Sequence, residues 1–277
     1  MKRVLAGLAL AGLAVAAQAY DFGNLLGQAV NTVKQVAQDN SAGEEDRVGR
    51  STAATLLGAA PLWNNPAALD YVNRVGVWVA SHSERPELPW RFGILDTATI
   101  NAFAAPGGYV FITRGLLARI SNEGELAGVL GHEIAHVQQK HQLGAIKQQH
   151  LTSALGSAVN AQTSASVNVA GQQLFKIDAN ALYANALSKS DEYDADRIGV
   201  VLAARSGYDP YGLPAVLQTL DNMKQDDAAL TLLFKTHPRP GDRLKELDTY
   251  MSTRADLEAV RGKPDGHERF AAAMRQR

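Results

Sequence analysis

Cysteine is absent from all 277 residues. No disulfide can staple the fold, no thiolate can act as a nucleophile, and no cysteine-ligated structural zinc site can form. Any metal has to be held by histidine and carboxylate. An excess of basic charge is missing too, since 27 Lys and Arg stand against 28 Asp and Glu. Phosphate backbones are gripped by basic surface, so nucleic acid is excluded as a partner. Long apolar runs are also lacking. Beyond the N-terminus no segment reaches the roughly 18 uninterrupted apolar residues of a membrane span.

What is present begins with the pattern of an export signal. Lys2 and Arg3 precede an apolar stretch over residues 4–17, and Ala17-Gln18-Ala19 supplies a small-x-small cleavage site. The apolar stretch is too short to span a membrane comfortably, so a cleaved signal peptide over residues 1–19 is expected, with the mature chain in the periplasm. Residues 20–45 are polar and weakly patterned and are expected to be a mobile leader. A main domain is expected over residues 46–254 and a C-terminal helical extension over residues 255–277.

Helical periodicity covers residues 46–60. Pro66 opens a second helix, with Leu69, Val72, Val75, Val77 and Val79 apolar among polar neighbours. "WRFGILD" and "TINAFAAPGGYVFITRG" are rich in β-branched and aromatic residues, and Pro106-Gly107-Gly108 predicts a hairpin turn. The fold class expected is α+β, mainly helical, with one small sheet. Asn122 followed by Glu125 reads as a capping box, and Leu126, Val129, Leu130 and Val137 form the apolar stripe of the helix behind it. Residues 144–180 carry hardly any charge, and their periodicity decides nothing. Helix is expected again over residues 180–204, Pro210 and Pro214 mark a boundary, and short charged helices follow from Asp242.

The helix after Asn122 contains "GHEIAHV". Residues four apart share a helix face, so His132 and His136 can present two imidazoles to one ion. Glu133 lies about 100° around from His132, near enough to reach a water on that ion without binding the ion itself. This combination suits zinc hydrolysis. The alternative is a pair of helix-face histidines bonded to their neighbours. A third ligand is needed, and the position ten residues after the first histidine is Gln142, which excludes a three-histidine site. "SKSDEYDADRIG" offers Glu192 as ligand and, four residues on, Asp196 to accept a hydrogen bond from a ligating histidine. A solvated acidic face is the competing reading. "HPRPGDR" adds His237 and Arg243, either of which would stabilise an oxyanion if folded over the site.

These pieces, in this order, resemble the zinc endopeptidases related to HtpX, the CAAX prenyl protease and BepA. These are gluzincins, in which two histidines and a glutamate hold the zinc. "NAFAAPGGYVFITRGLL", "ELAGVLGHEIAHV", "SDEYDADRIG" and "THPRPGDR" carry the resemblance. It implies one zinc per chain on His132, His136 and Glu192, with Glu133 as general base and acid. It also implies Asp196 behind a ligand, His237 and Arg243 near the transition state, and Asn101, Ala102 and Phe103 on a strand that pairs with extended substrate. An ordinary edge strand remains the alternative for those three. The membrane-embedded relatives carry transmembrane helices, and none is expected here after signal cleavage.

The expectation is therefore a zinc endopeptidase of the bacterial envelope acting on extended or misfolded polypeptides in protein quality control. Peripheral membrane association is left open. The alternative is a chaperone-like module that binds unfolded envelope proteins and rarely uses a gated zinc site, with residues 151–174 as a flap. His82, His141 and His150 are read as ordinary surface or helix histidines.

Overall fold

Helix α2 (Pro66–Ala80) starts where its sequence says it should. Asn65 caps it by accepting from the Ala68 backbone N–H at 3.1 Å, and Pro66 fills the first position, where a missing N–H costs nothing. Its apolar residues divide: Val72, Val75 and Val79 are buried, whereas Val77 and Trp78 are about half exposed. The stripe is thus narrower than the valine count suggests.

In this computed structural model, the residues described are 42–149, 187–224, 226–263 and 266–275. The expected signal peptide, most of the leader, the flap over residues 151–174, the first part of the helix expected from residue 180, and His150 lie outside them. The elements below belong to one compact unit, made of the described residues within 42–145 and 187–275. Among the described residues no helix is long and apolar enough to cross a membrane.

Helix α1 (Ala42–Ala59) takes in the last four residues of the expected leader, and Glu45 in its first turn is buried. Three strands follow α2: β1 (Arg91–Leu95), β2 (Ala102–Ala105) and β3 (Tyr109–Thr113). The sheet order is β1-β3-β2. The hairpin β2–β3 forms as expected, with Gly107 and Gly108 at φ 78° and 94°, values open to glycine. The parallel pairing of β1 with β3 adds a contact between segments that are not consecutive strands. Period-two alternation sends Phe92, Ile94, Ala102, Ala104, Val110 and Ile112 to the main core. Leu95, Phe103 and Phe111 go to the other face, where Ala53 and Leu56 of α1 cover them.

After the short α3 (Arg114–Leu117) comes α4 (Glu123–Gln138), the central helix. Asn122 Oδ1 accepts from the Glu125 N–H at 2.9 Å, while Glu125 reaches back to the Ser121 N–H at 2.7 Å. Instead of one apolar stripe, α4 is buried almost all round, and it runs through the core. Residues 141–145 are helical after a break at Gln139 and Lys140.

Helix α5 (Lys189–Arg205) opens with a capping box between Ser188 and Asp191. Pro210 and Pro214 flank the start of α6 (Gly212–Asp221), the boundary expected there, and Pro214 lies in its first turn, where its ring is tolerated. The chain continues through α7 (Thr231–Thr236), α8 (Pro240–Met251), α9 (Ala255–Glu258) and α10 (His267–Arg275). Leu257 joins a cluster with Val200, Leu217 and Leu247, and Phe270 joins the main core. The segment beyond residue 254 therefore packs on the helices before it.

Candidate metal centre

Helices α4 and α5 approach so closely that Gly131 and Gly199 face each other with no side chain between them. A Cβ on Gly131 would lie 2.8 Å from the Gly199 carbonyl oxygen, and one on Gly199 would lie 2.8 Å from the His132 nitrogen. That contact sets one acidic face of α5 against the histidine face of α4. Of the acids in "DEYDAD", Glu192 and Asp196 point inward and are buried, while Asp194 stays exposed. The solvated-face reading therefore holds for Asp194 and fails for the two residues singled out.

His132 Nε2 and His136 Nε2 lie 3.1 Å apart. Glu192 Oε2 is 3.7 Å from His132 Nε2, and Glu192 Oε1 is 3.5 Å from His136 Nε2. His237 Nε2 is 3.9 Å from Glu192 Oε2. One donor atom from each of these four residues falls within 4.8 Å of all the others, the geometry of a group that can hold a metal ion.

The surrounding bonds assign protons. His132 Nδ1 lies 2.9 Å from Asp196 Oδ1 and donates to it, which leaves Nε2 bare toward the cluster. Arg243 grips Asp196 with Nη2 at 2.5 Å and Nε at 2.9 Å. Burial alone would raise Asp196, but the Arg243 guanidinium and His132 outweigh it and hold its carboxyl far below the usual range. Burial lowers His132, His136 and His237 below the ordinary imidazole value, so all three rings are neutral, the form that binds metal. Burial pushes Glu133 up to about 8.

Glu192 is the residue least at ease without a cation. It is fully buried, and both carboxylate oxygens lack a hydrogen-bond partner. Burial accordingly raises it well above the ordinary carboxylate value. An unpartnered carboxylate facing the Nε2 atoms of two neutral imidazoles fits a divalent cation in both charge and donor type.

The remaining expected residues divide. Asn101 and Ala102 line an apolar recess of about 30 Å³ with Glu133, His132 and His237, closed by Val129, Val216 and Leu220. The Asn101 side chain is turned inward, its Nδ2 donating to Thr236 Oγ1 at 3.3 Å, and Thr236 Oγ1 lies 2.8 Å from His237 Nδ1. Phe103 lies on the opposite face of the sheet and does not reach the recess. Arg243 borders the recess, but two of its nitrogens are committed to Asp196. One neighbour was missed. His141, read as an ordinary histidine, has Nδ1 2.9 Å from His136 Nδ1.

Residues 66–251 match peptidase family M48, a span that contains every residue of this cluster and its partners. The chain belongs to peptidase family M48. Among M48-type relatives, the beta-barrel assembly-enhancing protease of Escherichia coli K12 is 32% identical over 212 residues, covering 74% of this chain and 43% of that protein. The mitochondrial metalloendopeptidase OMA1 of Schizosaccharomyces pombe is 29% identical over 182 residues, covering 65% of this chain and 52% of that protein. The metalloprotease YcaL of Escherichia coli is 28% identical over 159 residues, covering 57% and 61%. The chain thus spans less than half the length of the first of these relatives.

Proposed function

We propose that this M48 chain is a zinc-dependent endopeptidase of the bacterial envelope that hydrolyses peptide bonds in extended or misfolded proteins. The observation that carries the reading is Glu192, a fully buried carboxylate without a hydrogen-bond partner, aimed at the Nε2 atoms of His132 and His136. His132, His136 and Glu192 would hold the ion. When bound, zinc would supply the Lewis acidity that acidifies a water and polarises the scissile carbonyl, and its charge would draw Glu133 toward the carboxylate form.

The protein's own groups do the rest. Glu133 is buried beside the cluster and borders the recess, so it takes the proton of the attacking water and delivers it to the leaving amine. Asp196, locked by Arg243, keeps the proton of His132 on Nδ1. The apolar recess receives a small side chain of the substrate next to the scissile bond. The envelope location is supported by the export-signal pattern of residues 1–19. Digestion of an unfolded protein, with and without a zinc chelator, tests the reading. Chelator-sensitive cleavage supports it, and a zinc-loaded chain that cuts no unfolded protein under any condition refutes it.

A second reading has its own observation. His237 contributes a fourth donor to the cluster, where a hydrolytic site needs an open position. His237 then closes the site at rest and gives way to substrate, which makes the protein a gated peptidase that spends much of its time as a binder of unfolded chains.

A further inference from the structure

His136 is the one ligand candidate on α4 whose outer nitrogen does not meet a carboxylate. His132 has Asp196 behind it, and His136 has His141 instead, Nδ1 to Nδ1 at 2.9 Å. We infer that His141 is a positioning residue, which accepts the Nδ1 proton of His136 and so turns the His136 Nε2 lone pair toward the metal position.

Proton bookkeeping forces the direction of that bond. Without a metal, His136 Nε2 can keep its proton and donate to His132 Nε2, 3.1 Å away. With both Nε2 atoms serving as ligands, neither carries a proton, and the His136 proton has to sit on Nδ1. Its partner at 2.9 Å is then His141 Nδ1, which must be the acceptor. The His141 proton is placed on Nε2, and Asp191 Oδ1 lies on that side at 3.8 Å, where its charge favours an N–H. His136, His141 and Asp191 thus form a line of partners parallel to His132, Asp196 and Arg243.

The backbone supplies an independent observation. Among the described residues Lys140 is the only non-glycine with positive φ, at 59°. A lysine in the left-handed region is strained, and such strain persists where the surroundings impose it. Lys140 lies between the end of α4 and the helical residues that begin at His141, so this turn redirects the chain just where His141 has to fold back on His136. Lys140 Nζ is anchored 3.3 Å from the buried Glu45 carboxylate. The spacing of His141 from His136, five residues, is not a helical ligand spacing, which is why the sequence pattern conceals it.

The inference rests on the metal-site reading above. The test is made on the full chain with zinc alone as the probe. His141→Leu removes the acceptor at similar volume, and His141→Asn returns an oxygen acceptor on the same atom of the side chain. Zinc affinity is measured by competition with a chromophoric chelator, and the melting temperature of the metal-free protein checks folding. His141→Leu is expected to weaken zinc binding about 10- to 100-fold, while His141→Asn stays within a few-fold of the unaltered protein. Unchanged affinity in His141→Leu, or equal loss in both variants, would overturn the role. If the leucine variant does not fold, ring-nitrogen NMR of the unaltered zinc-loaded chain decides, because a proton on His141 Nδ1 contradicts the inference and one on Nε2 supports it. A chain that binds no zinc overturns this inference together with the metal site. A chain that binds zinc but cuts nothing overturns only the peptidase reading.

Discussion

Gly131 and Gly199 touch backbone to backbone, and this contact holds the glutamate helix against the histidine helix. It leaves Asp196 Oδ1 2.9 Å from His132 Nδ1 and both Glu192 oxygens within 4 Å of imidazole nitrogens. A methyl group at either position has nowhere to go, since its nearest neighbours are backbone atoms of the opposite helix. Gly199→Ala is expected to cost about 1–3 kcal/mol of stability and to weaken zinc binding by prising the helices apart. Thermal melts and zinc titration on one preparation check it, and a variant equal to the unaltered chain in both would show that the close approach does not matter.

Glu133→Gln keeps the size of the side chain and removes the proton acceptor. Zinc content is expected to be unchanged and cleavage of unfolded protein to fall by about 10²- to 10⁴-fold. Undiminished activity would remove Glu133 from the mechanism. His136→Ala should lose zinc as well as cleavage, which elemental analysis would show.

Glu192→Gln separates function from stability. The carboxylate is fully buried without a hydrogen-bond partner, so the metal-free protein carries an uncompensated polar group there. Replacing it with the neutral amide is expected to abolish tight zinc binding yet raise the melting temperature of the metal-free chain at neutral pH. A lower melting temperature in the chelator-treated variant would mean that the carboxylate is satisfied in some other way.

His237→Ala distinguishes a gate from a transition-state group. With its Nε2 among the four clustered donors, removal should open a coordination position and speed cleavage of unfolded protein. A fall of about 10²-fold or more would instead assign His237 to the oxyanion.

Glu45 predicts a pH dependence away from the metal. Its buried carboxylate accepts from Arg85 Nη1 and Nη2 at 2.7 and 3.0 Å and from the Gly107 N–H at 3.2 Å, with Lys140 Nζ at 3.3 Å. Burial alone would raise it, but Arg85 and Lys140 outweigh that and lower its pKa from 4.5. A carboxyl with a depressed folded pKa stabilises the protein above its unfolded pKa, and the contribution disappears as pH falls through the folded value. Glu45→Gln should therefore cost on the order of 2 kcal/mol near pH 7, and the difference from the unaltered chain should shrink in denaturation series taken progressively below pH 4.5. A constant difference across that range would mean the loss is one of packing.

Much of the site was legible in the sequence because it rests on local periodicity. His132, Glu133 and His136 share a helix, Glu192 and Asp196 share another, and spacing alone fixes which residues look the same way. Pro66 and Asn122 announced their helix starts for the same local reason. The face that Phe103 takes could not be read locally, because period two gives a pair of faces without saying which one α4 covers. Which valines of α2 are buried was not legible either, because a valine-rich helix shows no edge to its buried stripe.

The sequence by itself determined the donor types, their helical spacing, the caps and the hairpin turn, since each depends on residues close in the chain. Only the tertiary structure decided that Glu192 meets the two histidines, that Arg243 locks Asp196, that His237 enters the donor cluster and that His141 backs His136. Those relations need helix-to-helix approach at two glycines and a left-handed turn at Lys140. Close packing of backbones and a strained dihedral emerge from the whole fold, and no local pattern of side chains encodes them.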